Sequence, residues 1–194
     1  MPEALPPPFY DRPAEQVARA LLRARIVSEV DGVRCSGEIV EVEAYVGPHD
    51  DASHAAERVG LTARNAAMFG PPGRAYIYRI YGLHWCLNVV TGAEGYPAAV
   101  LIRAARPLEG VEVASERRGG RPLPALMRGP GNLARALGVD SALNGHSLDR
   151  SPLWIVPGVP LADEEVERGP RIGITRAAEW PLRFWIRGST WISR

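Results

Sequence analysis

The stretch that decides the fold runs from Gly37 to Tyr45 and reads Gly-Glu-Ile-Val-Glu-Val-Glu-Ala-Tyr. Apolar residues at positions 40, 42 and 44 alternate with Glu41, Glu43 and Tyr45. Because successive side chains of a β-strand point to opposite faces, this alternation predicts a strand whose apolar face lies in the core. The two glutamates and the tyrosine share the opposite face, where a carboxylate beside a phenol suits acid–base chemistry in a cleft.

The segments around this strand predict a mixture of strands and helices. Asp31-Gly32 lies between two strand-like runs and predicts a hairpin with a type I′ turn, which needs positive φ at both positions. Residues 75–80 and 85–90 predict a second hairpin with Tyr81 near its tip, an unusual place for an aromatic side chain. Further strands are predicted at 98–102, 153–156, 171–175 and 184–191, and helices at 13–21, 62–69, 107–117 and 133–137.

Length and composition limit the classes of protein. We expect the 194 residues to form one domain, 1–194, with residues 1–10 as a flexible, proline-rich arm. The net charge of +1 does not by itself indicate a nucleic-acid binder. Because no apolar run reaches the roughly 18 residues needed to cross a bilayer, and the N-terminus lacks a signal-peptide pattern, we expect no membrane contact and a cytoplasmic location.

Two residue types restrict the chemistry. All 23 basic residues are arginine, so catalysis through a lysine Schiff base is excluded. The two cysteines, Cys35 and Cys86, are too few for a disulfide framework or a four-ligand zinc site. We expect both to be reduced residues of the core.

A polar cluster after the central strand supports a different interpretation. His49, Asp50, Asp51 and His54 follow one another closely, and such side chains bind zinc or hard cations. A metal-dependent hydrolase is therefore an alternative function for this chain.

Short motifs continue along most of the chain: Glu-x-Glu-Ala-Tyr at 41–45, Gly-Pro at 47–48, His at 54, Arg-Asn at 64–65, Met-Phe at 68–69, Pro-Gly at 72–73, Tyr-x-Tyr-x-x-Tyr-Gly at 76–82, Cys-x-Asn at 86–88, Leu-x-Arg-Ala at 101–104, Gly-Pro at 129–130, Pro-Leu-Arg-Phe at 181–184 and Arg-Gly-Ser at 187–189. In type and spacing they resemble the alkyladenine DNA glycosylase family, also called the 3-methyladenine or methylpurine DNA glycosylases. The resemblance implies an α+β (mixed) fold, a single domain with a curved, mainly antiparallel β-sheet flanked by helices and a protruding β-hairpin.

The resemblance also implies a reaction, the excision of alkylated or deaminated purines from double-stranded DNA. A base inside the stack cannot be attacked, so it is flipped out, and Tyr81 would fill the gap as a wedge. Glu43 would be the general base that activates water, while Arg103 would orient that water and hold a nearby phosphate. The absence of lysine agrees with a monofunctional glycosylase, which has no lyase activity.

The base pocket implied by the resemblance is aromatic. Tyr45, His54 and Tyr78 would stack on the flipped purine, with Tyr76 supporting them, and their π faces would attract a cationic base. Asn88 would limit access by normal purines through a clash with the exocyclic amino group of guanine. No cofactor or metal is expected.

Contacts with the DNA backbone are expected at two places. Gly131 and Asn132 precede or open a helix whose N-terminus could hold a phosphate, and Arg117 and Arg118 lie in a basic loop. Asn132 stands where some relatives have lysine, and His84 where relatives often have an aromatic residue. The expected partner is double-stranded DNA with damaged purines, bound by a monomer. A DNA-binding protein without catalysis is a further alternative, and release of free base would distinguish the two.

Overall fold

The computed structural model describes residues 3–193. The α-helices in this part of the chain are Pro7–Tyr10 (α1), Ala14–Leu21 (α2), Val111–Arg117 (α3) and Pro130–Leu137 (α4). The strands are Arg25–Ser28 (β1), Cys35–Tyr45 (β2), Ala75–Ile80 (β3), His84–Thr91 (β4), Ala98–Glu109 (β5), Asp149–Arg150 (β6), Leu153–Val156 (β7), Val166–Gly169 (β8) and Arg183–Ile186 (β9). They pair antiparallel in one curved sheet, which confirms the predicted mixed fold. No helix within residues 3–193 is both long and apolar enough to cross a membrane.

Strand β2 lies in the middle of the sheet, whose main order is β3-β4-β5-β2-β1-β7-β6. One edge of β2 pairs with β5 along nearly its whole length. The other edge pairs first with β1, through residues 35–38, and then with β9, through residues 41–43. The segment that carries Glu41 and Glu43 therefore has a neighbouring strand on each side, and neither glutamate is exposed to solvent.

The apolar face of β2 packs on helices α2 and α4. Val42 and Ala44 belong to the main hydrophobic cluster, as the alternation predicted. Farther upstream Ile39 joins this cluster, whereas Val40 is buried outside it. The reason is that the pairing of β2 with β5 changes register on both sides of Glu41, as happens at a β-bulge.

The β3–β4 hairpin ends in a left-handed turn. Tyr81 and Gly82 have φ angles of 52° and 65°, and the Leu83 N–H donates to the Ile80 carbonyl oxygen at 3.1 Å. Two successive residues with positive φ are typical of a type I′ turn, whose twist matches that of paired strands. Tyr81 is 82% exposed, so the hairpin protrudes as predicted.

The predicted turn at Asp31-Gly32 is also confirmed, with φ angles of 59° and 73°. Its connection is longer than a two-residue loop, because β1 ends at Ser28 and β2 begins at Cys35. The two strands still pair directly on either side of this connection.

Residues 3–10 pack on the domain instead of forming the extended arm that the prolines suggested. Leu5 and Tyr10 are buried, and the Leu5 N–H donates to the Ile155 carbonyl oxygen at 2.8 Å. Proline is accepted in the first turn of α1 because the N–H groups there have no partner within the helix. Residues 1 and 2 lie outside the described part of the chain.

Two predicted elements at 107–117 and 171–175 are corrected by the structure. Strand β5 continues through Pro107 to Glu109, and the helix begins only at Val111, because Gly110 adopts a φ of 67° that ends the strand. Residues 171–175 form a loop, and the strand that pairs with β9 on its outer side is β8. The predicted strand at 184–191 is shorter and spans Arg183–Ile186.

The helix predicted at 62–69 is reduced to a 3₁₀ turn, Ala66–Phe69. The side chain of Asn65 is the cause. Its Oδ1 accepts from the Thr62 N–H at 2.7 Å, and its Nδ2 donates to the Gly60 carbonyl oxygen at 2.7 Å. These bonds hold the preceding residues in a loop, as asparagine often does when it competes with helical bonding.

Candidate active site

A cavity of about 150 Å³ opens beside the β3–β4 hairpin. Strands β3, β4 and β5 form its walls, and loops that contain residues 52–54 and 172–174 complete it. The four rings that the sequence grouped as a pocket all line this cavity: Tyr45, His54, Tyr76 and Tyr78.

The aromatic side chains hold one another in place. Tyr76 and Tyr78 occupy alternate positions of β3 and therefore face the same side, with ring centroids 5.5 Å apart. The His54 ring meets Tyr78 edge-to-face at 4.3 Å, and His54 Nδ1 lies 2.9 Å from Tyr76 Oη. Asn65 Nδ2 also donates to the His54 carbonyl oxygen at 2.9 Å. These contacts orient His54 although a loop carries it.

Burial favours the uncharged forms of the rings. It lowers the pKa of His54 to about 4, and the positive charge of Arg64 adds to this effect. It raises the pKa of both Tyr76 and Tyr78 above the ordinary value of a phenol. Arg64 lines the same cavity, with its guanidinium carbon 5.7 Å from the Tyr78 ring centroid. A flat molecule in the cavity thus meets neutral aromatic faces.

Glu43 lies directly behind the cavity wall. It has no exposed surface, and its contacts come from three residues that do line the cavity. Tyr45 Oη donates to Glu43 Oε2 at 3.2 Å, the Ile172 N–H donates to Oε1 at 2.7 Å, and Arg103 Nη1 lies 3.1 Å from Oε1. These three contacts lie between the Glu43 carboxylate and the open cavity.

The surroundings of Glu43 act on its protonation in opposite directions. Burial raises the pKa of Glu43 above its ordinary value, while Arg103, the Ile172 N–H and the Tyr45 hydroxyl oppose the rise. A carboxyl group with a raised pKa binds protons nearer to neutral pH than a surface glutamate does. Both catalytic bases and structural buried ion pairs show shifts of this kind.

Glu41 is the second buried carboxylate on this face of β2. Arg183 Nε donates to Glu41 Oε1 at 2.7 Å, and the Ser193 N–H donates to Oε2 at 2.6 Å. Arg103 Nε lies 3.4 Å from Glu41 Oε1, so that one guanidinium contacts both Glu41 and Glu43. Two arginines thus balance two buried glutamates, which is the condition for keeping such charges inside a protein.

A separate buried ion pair supports the Tyr45 side of the cavity. Arg171 Nη1 and Nη2 donate to Asp50 Oδ2 and Oδ1 at 2.5 Å and 2.8 Å, and neither side chain is exposed. Arg171 Nη1 also donates to the Ala44 carbonyl oxygen at 3.0 Å. Sequence reasoning missed this pair, because residues 121 positions apart share no local pattern.

The residues considered as metal ligands do not converge. Both oxygens of Asp50 accept from the buried guanidinium, and Asp51 lies at the surface. His49 lies 6.2 Å from the Trp180 ring, whereas His54 belongs to the ring cluster. Within residues 3–193 no group of three or more histidine, cysteine, aspartate or glutamate side chains is arranged to hold a metal ion. The geometry does not support the metal-dependent alternative.

Comparison with known proteins gives the family. The model of the methylpurine-DNA glycosylase (MPG) family matches residues 8–190. The chain belongs to this family. DNA glycosylases hydrolyse the N-glycosyl bond between base and sugar, so the chain is an enzyme of that class whose substrate is DNA.

Similar proteins cover nearly the whole chain. A relative from Myxococcus xanthus (strain DK1622) is 48% identical over 193 residues, which are 98% of this chain and 93% of the relative. One from Rhodopseudomonas palustris (strain HaA2) is 49% identical over 196 residues, which are 99% of this chain and 93% of the relative. One from Methanoculleus marisnigri (strain ATCC 35101 / DSM 1498 / JR1) is 47% identical over 193 residues, 98% of each chain. Each is named "Putative 3-methyladenine DNA glycosylase".

Two further residues singled out from the sequence lie on the same β3–β4 hairpin as Tyr76 and Tyr78. Asn88 is buried in β4 opposite Tyr76 and lines the cavity, and its Nδ2 donates to the Tyr76 carbonyl oxygen at 2.9 Å. Tyr81 lies at the exposed tip. One hairpin thus connects the cavity to a protruding aromatic ring.

The residues expected near DNA phosphates are divided between the two ends of α4. Gly131 lies in the first turn, so close to the hairpin that a Cβ atom there would come within 2.8 Å of His84. Asn132 Nδ2 donates to the Arg128 carbonyl oxygen at 2.7 Å. These two residues lie on the hairpin side of the glycosylase, next to Pro130 of the cavity.

Arg117 and Arg118 are not brought to that side. Arg117 packs against Gly138 at the far end of α4, and its Nη2 donates to the Val30 carbonyl oxygen at 3.0 Å. Arg118 Nε donates to the Leu126 carbonyl oxygen at 3.2 Å. Both guanidinium groups are engaged with backbone carbonyls of the domain itself.

Proposed function

We propose that this glycosylase excises alkylated or deaminated purines from double-stranded DNA. The observation that carries the proposal is one cavity in which four rings lie beside a buried glutamate–arginine pair. A flipped purine requires flat walls on which to stack, and cleavage of its N-glycosidic bond requires a base for the attacking water. The substrate class comprises 3-methyladenine, 7-methylguanine, hypoxanthine and ethenoadenine.

Glu43 is the general base in this proposal. It accepts a proton from a water molecule whose oxygen forms a bond to C1′ of the sugar. The N-glycosidic bond breaks at the same carbon, and its electron pair leaves with the purine; a cationic purine departs as the neutral base, and a neutral purine takes up a proton from solvent. The products are the free base and an abasic site. The negative charge of Glu43 also favours the oxocarbenium character that C1′ develops in glycoside hydrolysis.

Arg103 supports this step through its contact with the carboxylate. Its Nη1 lies 3.1 Å from Glu43 Oε1, and a nearby cation favours the ionised form of a carboxyl group. Because Arg103 lines the cavity, its guanidinium is also available to orient the attacking water and to contact the phosphate of the flipped nucleotide.

The rings select the base. Tyr45, His54 and Tyr78 stack on the flipped purine, and Tyr76 holds the His54 ring. With His54 neutral, the cavity presents π faces that attract a cationic alkylated purine by about 0.5–2 kcal/mol. Asn88 opposes guanine, because a buried side chain at the cavity wall leaves little room for an exocyclic amino group.

Tyr81 acts as the wedge that replaces the extruded base. Its exposure at the tip of a protruding hairpin supports this role, because a ring there gains burial only when a partner covers it. Unstacking a base step costs about a few kcal/mol, and an inserted aromatic ring offsets part of that cost.

In this proposal the enzyme is monofunctional: it releases the base and does not cleave the DNA backbone at the abasic site. A lyase reaction through an imine of lysine is excluded, because the sequence contains no lysine. One site acts on one lesion, for which a monomer is sufficient. Sedimentation velocity of the protein on a lesion-containing duplex tests that part, with a complex of two chains per duplex as the contradicting result.

Glu43→Gln tests the central assignment. Free purine released from duplexes with 7-methylguanine, hypoxanthine or ethenoadenine is measured under single-turnover conditions. We expect release to fall at least about 10²-fold, the contribution of a general base, while binding to the lesion duplex remains. Glu38→Gln is the matched control, because Glu38 pairs with Arg106 near the surface and lies outside the cavity. Unchanged release by Glu43→Gln would remove Glu43 from the mechanism, and loss of wild-type activity in EDTA would restore the metal-dependent alternative.

A further inference from the structure

We infer that Ser193 is a positioning residue that determines how the Arg103 guanidinium is shared between Glu41 and Glu43. The inference rests on the proposed role of Glu43 as general base. It concerns a residue of the final described segment, which neither the motifs nor the family resemblance singled out.

The Ser193 hydroxyl lies between a carboxylate and a guanidinium. Its Oγ accepts from Arg103 Nε and Nη2 at 3.2 Å and 3.1 Å, and it donates to Glu41 Oε1 at 2.9 Å. A hydroxyl has one proton to donate and two lone pairs to accept with, so these three bonds use its full capacity. Ser193 is only 7% exposed, so solvent water has little access to the position of its hydroxyl.

Arg103 is subject to competition between two carboxylates. Its Nη1 contacts Glu43 Oε1 at 3.1 Å, whereas its Nε lies 3.4 Å from Glu41 Oε1. The Ser193 hydroxyl occupies the place where Arg103 and Glu41 would otherwise bond more closely, and it supplies each of them with a partner. Glu41 also receives the Ser193 N–H and the Arg183 guanidinium, so its charge is satisfied without drawing Arg103 away from Glu43.

Loss of the hydroxyl changes this division in a definite direction. Glu41 loses a donor and Arg103 loses an acceptor, so the two attract each other across the vacated position. As the guanidinium moves toward Glu41, Glu43 loses part of its positive partner. The pKa of Glu43 then rises further, because a nearby cation is what opposes the effect of burial.

The other groups around Glu43 do not titrate in the range that matters. Burial raises the pKa of the Cys86 thiol to about 11 and raises that of the Tyr45 phenol above its ordinary value. The charged groups packed around Glu43 come from β2, β5, β9 and the loop after β8: Glu41, Arg103, Arg183 and Arg171. The contribution of Glu41 is tested with a variant of its own.

The experiment measures the pH dependence of single-turnover release of 7-methylguanine from about pH 5 to about pH 9. A cationic purine leaves without protonation, so the acid limb of the profile reports ionisation of the base. We expect Ser193→Ala to move this limb to higher pH by about one unit, at the low end of the effect of a nearby charge. Ser193→Thr retains the hydroxyl and should keep the wild-type limb. Ser189→Ala is the matched control, since Ser189 Oγ accepts from the Trp191 N–H and has no contact with either glutamate.

Glu41→Gln provides a test of opposite sign. Without the charge of Glu41, Arg103 has Glu43 as its only carboxylate partner among residues 3–193. The pKa of Glu43 should then fall, so the acid limb should move to lower pH. If Ser193→Ala does not fold, which binding to a duplex with an abasic-site analogue reports, Ser193→Cys takes its place, because a thiol is only a weak donor and a weak acceptor. The inference would be overturned if the acid limb of the pH profile did not shift in Ser193→Ala and Glu41→Gln. It would also be overturned if Ser193→Ala bound this duplex but were inactive at every pH. If the wild-type chain releases no purine, the proposed function itself fails.

Discussion

The guanidinium carbon of Arg171 lies 4.7 Å from the centroid of the Tyr45 ring, while its nitrogens bind Asp50. One face of the Tyr45 ring thus lies against the guanidinium of Arg171, and Asp50 neutralises the charge of that guanidinium. Since the Tyr45 hydroxyl donates to Glu43, the ion pair also influences the carboxylate that we propose as the base. The stability of the domain and the shape of the cavity are linked at this point.

Asp50→Asn should destabilise the domain strongly. Removing one partner of a buried ion pair leaves the other charge without compensation, which costs about 3–5 kcal/mol. The free energy of unfolding in urea measures the effect. Asp51→Asn is the control, because Asp51 forms an exposed pair with Arg58 at 3.6 Å, worth about 1 kcal/mol or less. Equal losses in the two variants would contradict a special role for the buried pair.

Tyr81→Ser should weaken binding to lesion-containing duplexes without affecting the fold. The side chain is 82% exposed, so it contributes little to folding, and a stacked aromatic ring is worth about 1–3 kcal/mol to binding. Equilibrium binding to duplexes with and without a lesion measures the change. Val159→Ser removes another exposed apolar side chain, 70% exposed, and should bind as the wild type does. Binding by Tyr81→Ser at wild-type strength would exclude the wedge.

Asn88→Ser should reduce discrimination against guanine. The smaller side chain leaves more room at the cavity wall, and one such change in a pocket alters selectivity roughly 10-fold. The measured quantity is the rate of guanine release relative to that of hypoxanthine from matched duplexes. Asn144→Ser is the control. Asn144 Oδ1 accepts a hydrogen bond from the N–H of Ile77 in the same hairpin, but the Asn144 side chain lies outside the cavity. A ratio that does not change would remove Asn88 from selection.

The stability of the domain should depend on pH through His54. Burial lowers the pKa of His54 to about 4, below its value of about 6.5 in an unfolded chain. The unfolded chain therefore takes up a proton at higher pH than the folded one. The stabilisation that comes from neutral His54 is complete above pH of about 6.5 and is lost as the pH falls towards about 4.

Unfolding in urea near neutral pH and near pH of about 4.5 measures this effect. The free energy of unfolding should fall by more in the wild type than in His54→Gln, which has no group to protonate at this position. Equal losses in the two proteins would mean that His54 is not held neutral by the fold.

The local parts of the site could be predicted from the sequence. The alternation in residues 37–45 was enough to assign most of the faces of β2, and Tyr81-Gly82 between two strand-like runs was enough to place Tyr81 near a hairpin tip. Both depend on neighbours in the chain, whose geometry is the same in any protein. The alternation failed at Val40, where β5 imposes a change of register that residues 37–45 do not encode.

The connections between distant residues could not be predicted. Glu41 is satisfied by Arg183 and Ser193, which follow it by 142 and 152 positions. Asp50 was grouped with nearby histidines as a metal ligand, yet its partner is Arg171 in a loop that the sequence suggested was a strand. Which of many arginines meets a given carboxylate depends on how the whole sheet curves, and a pattern of adjacent residues carries no such information.

The bond between residues 41 and 193 also has a consequence for newly made copies of the enzyme. A chain still emerging from the ribosome exposes Glu41 and Glu43 side by side long before β9 and Ser193 have been synthesised. Until residues 183–193 have been made, Glu41 lacks the Arg183 guanidinium and the Ser193 hydroxyl as partners. The buried network beside the cavity therefore forms only after residues 183–193 have folded back onto β2.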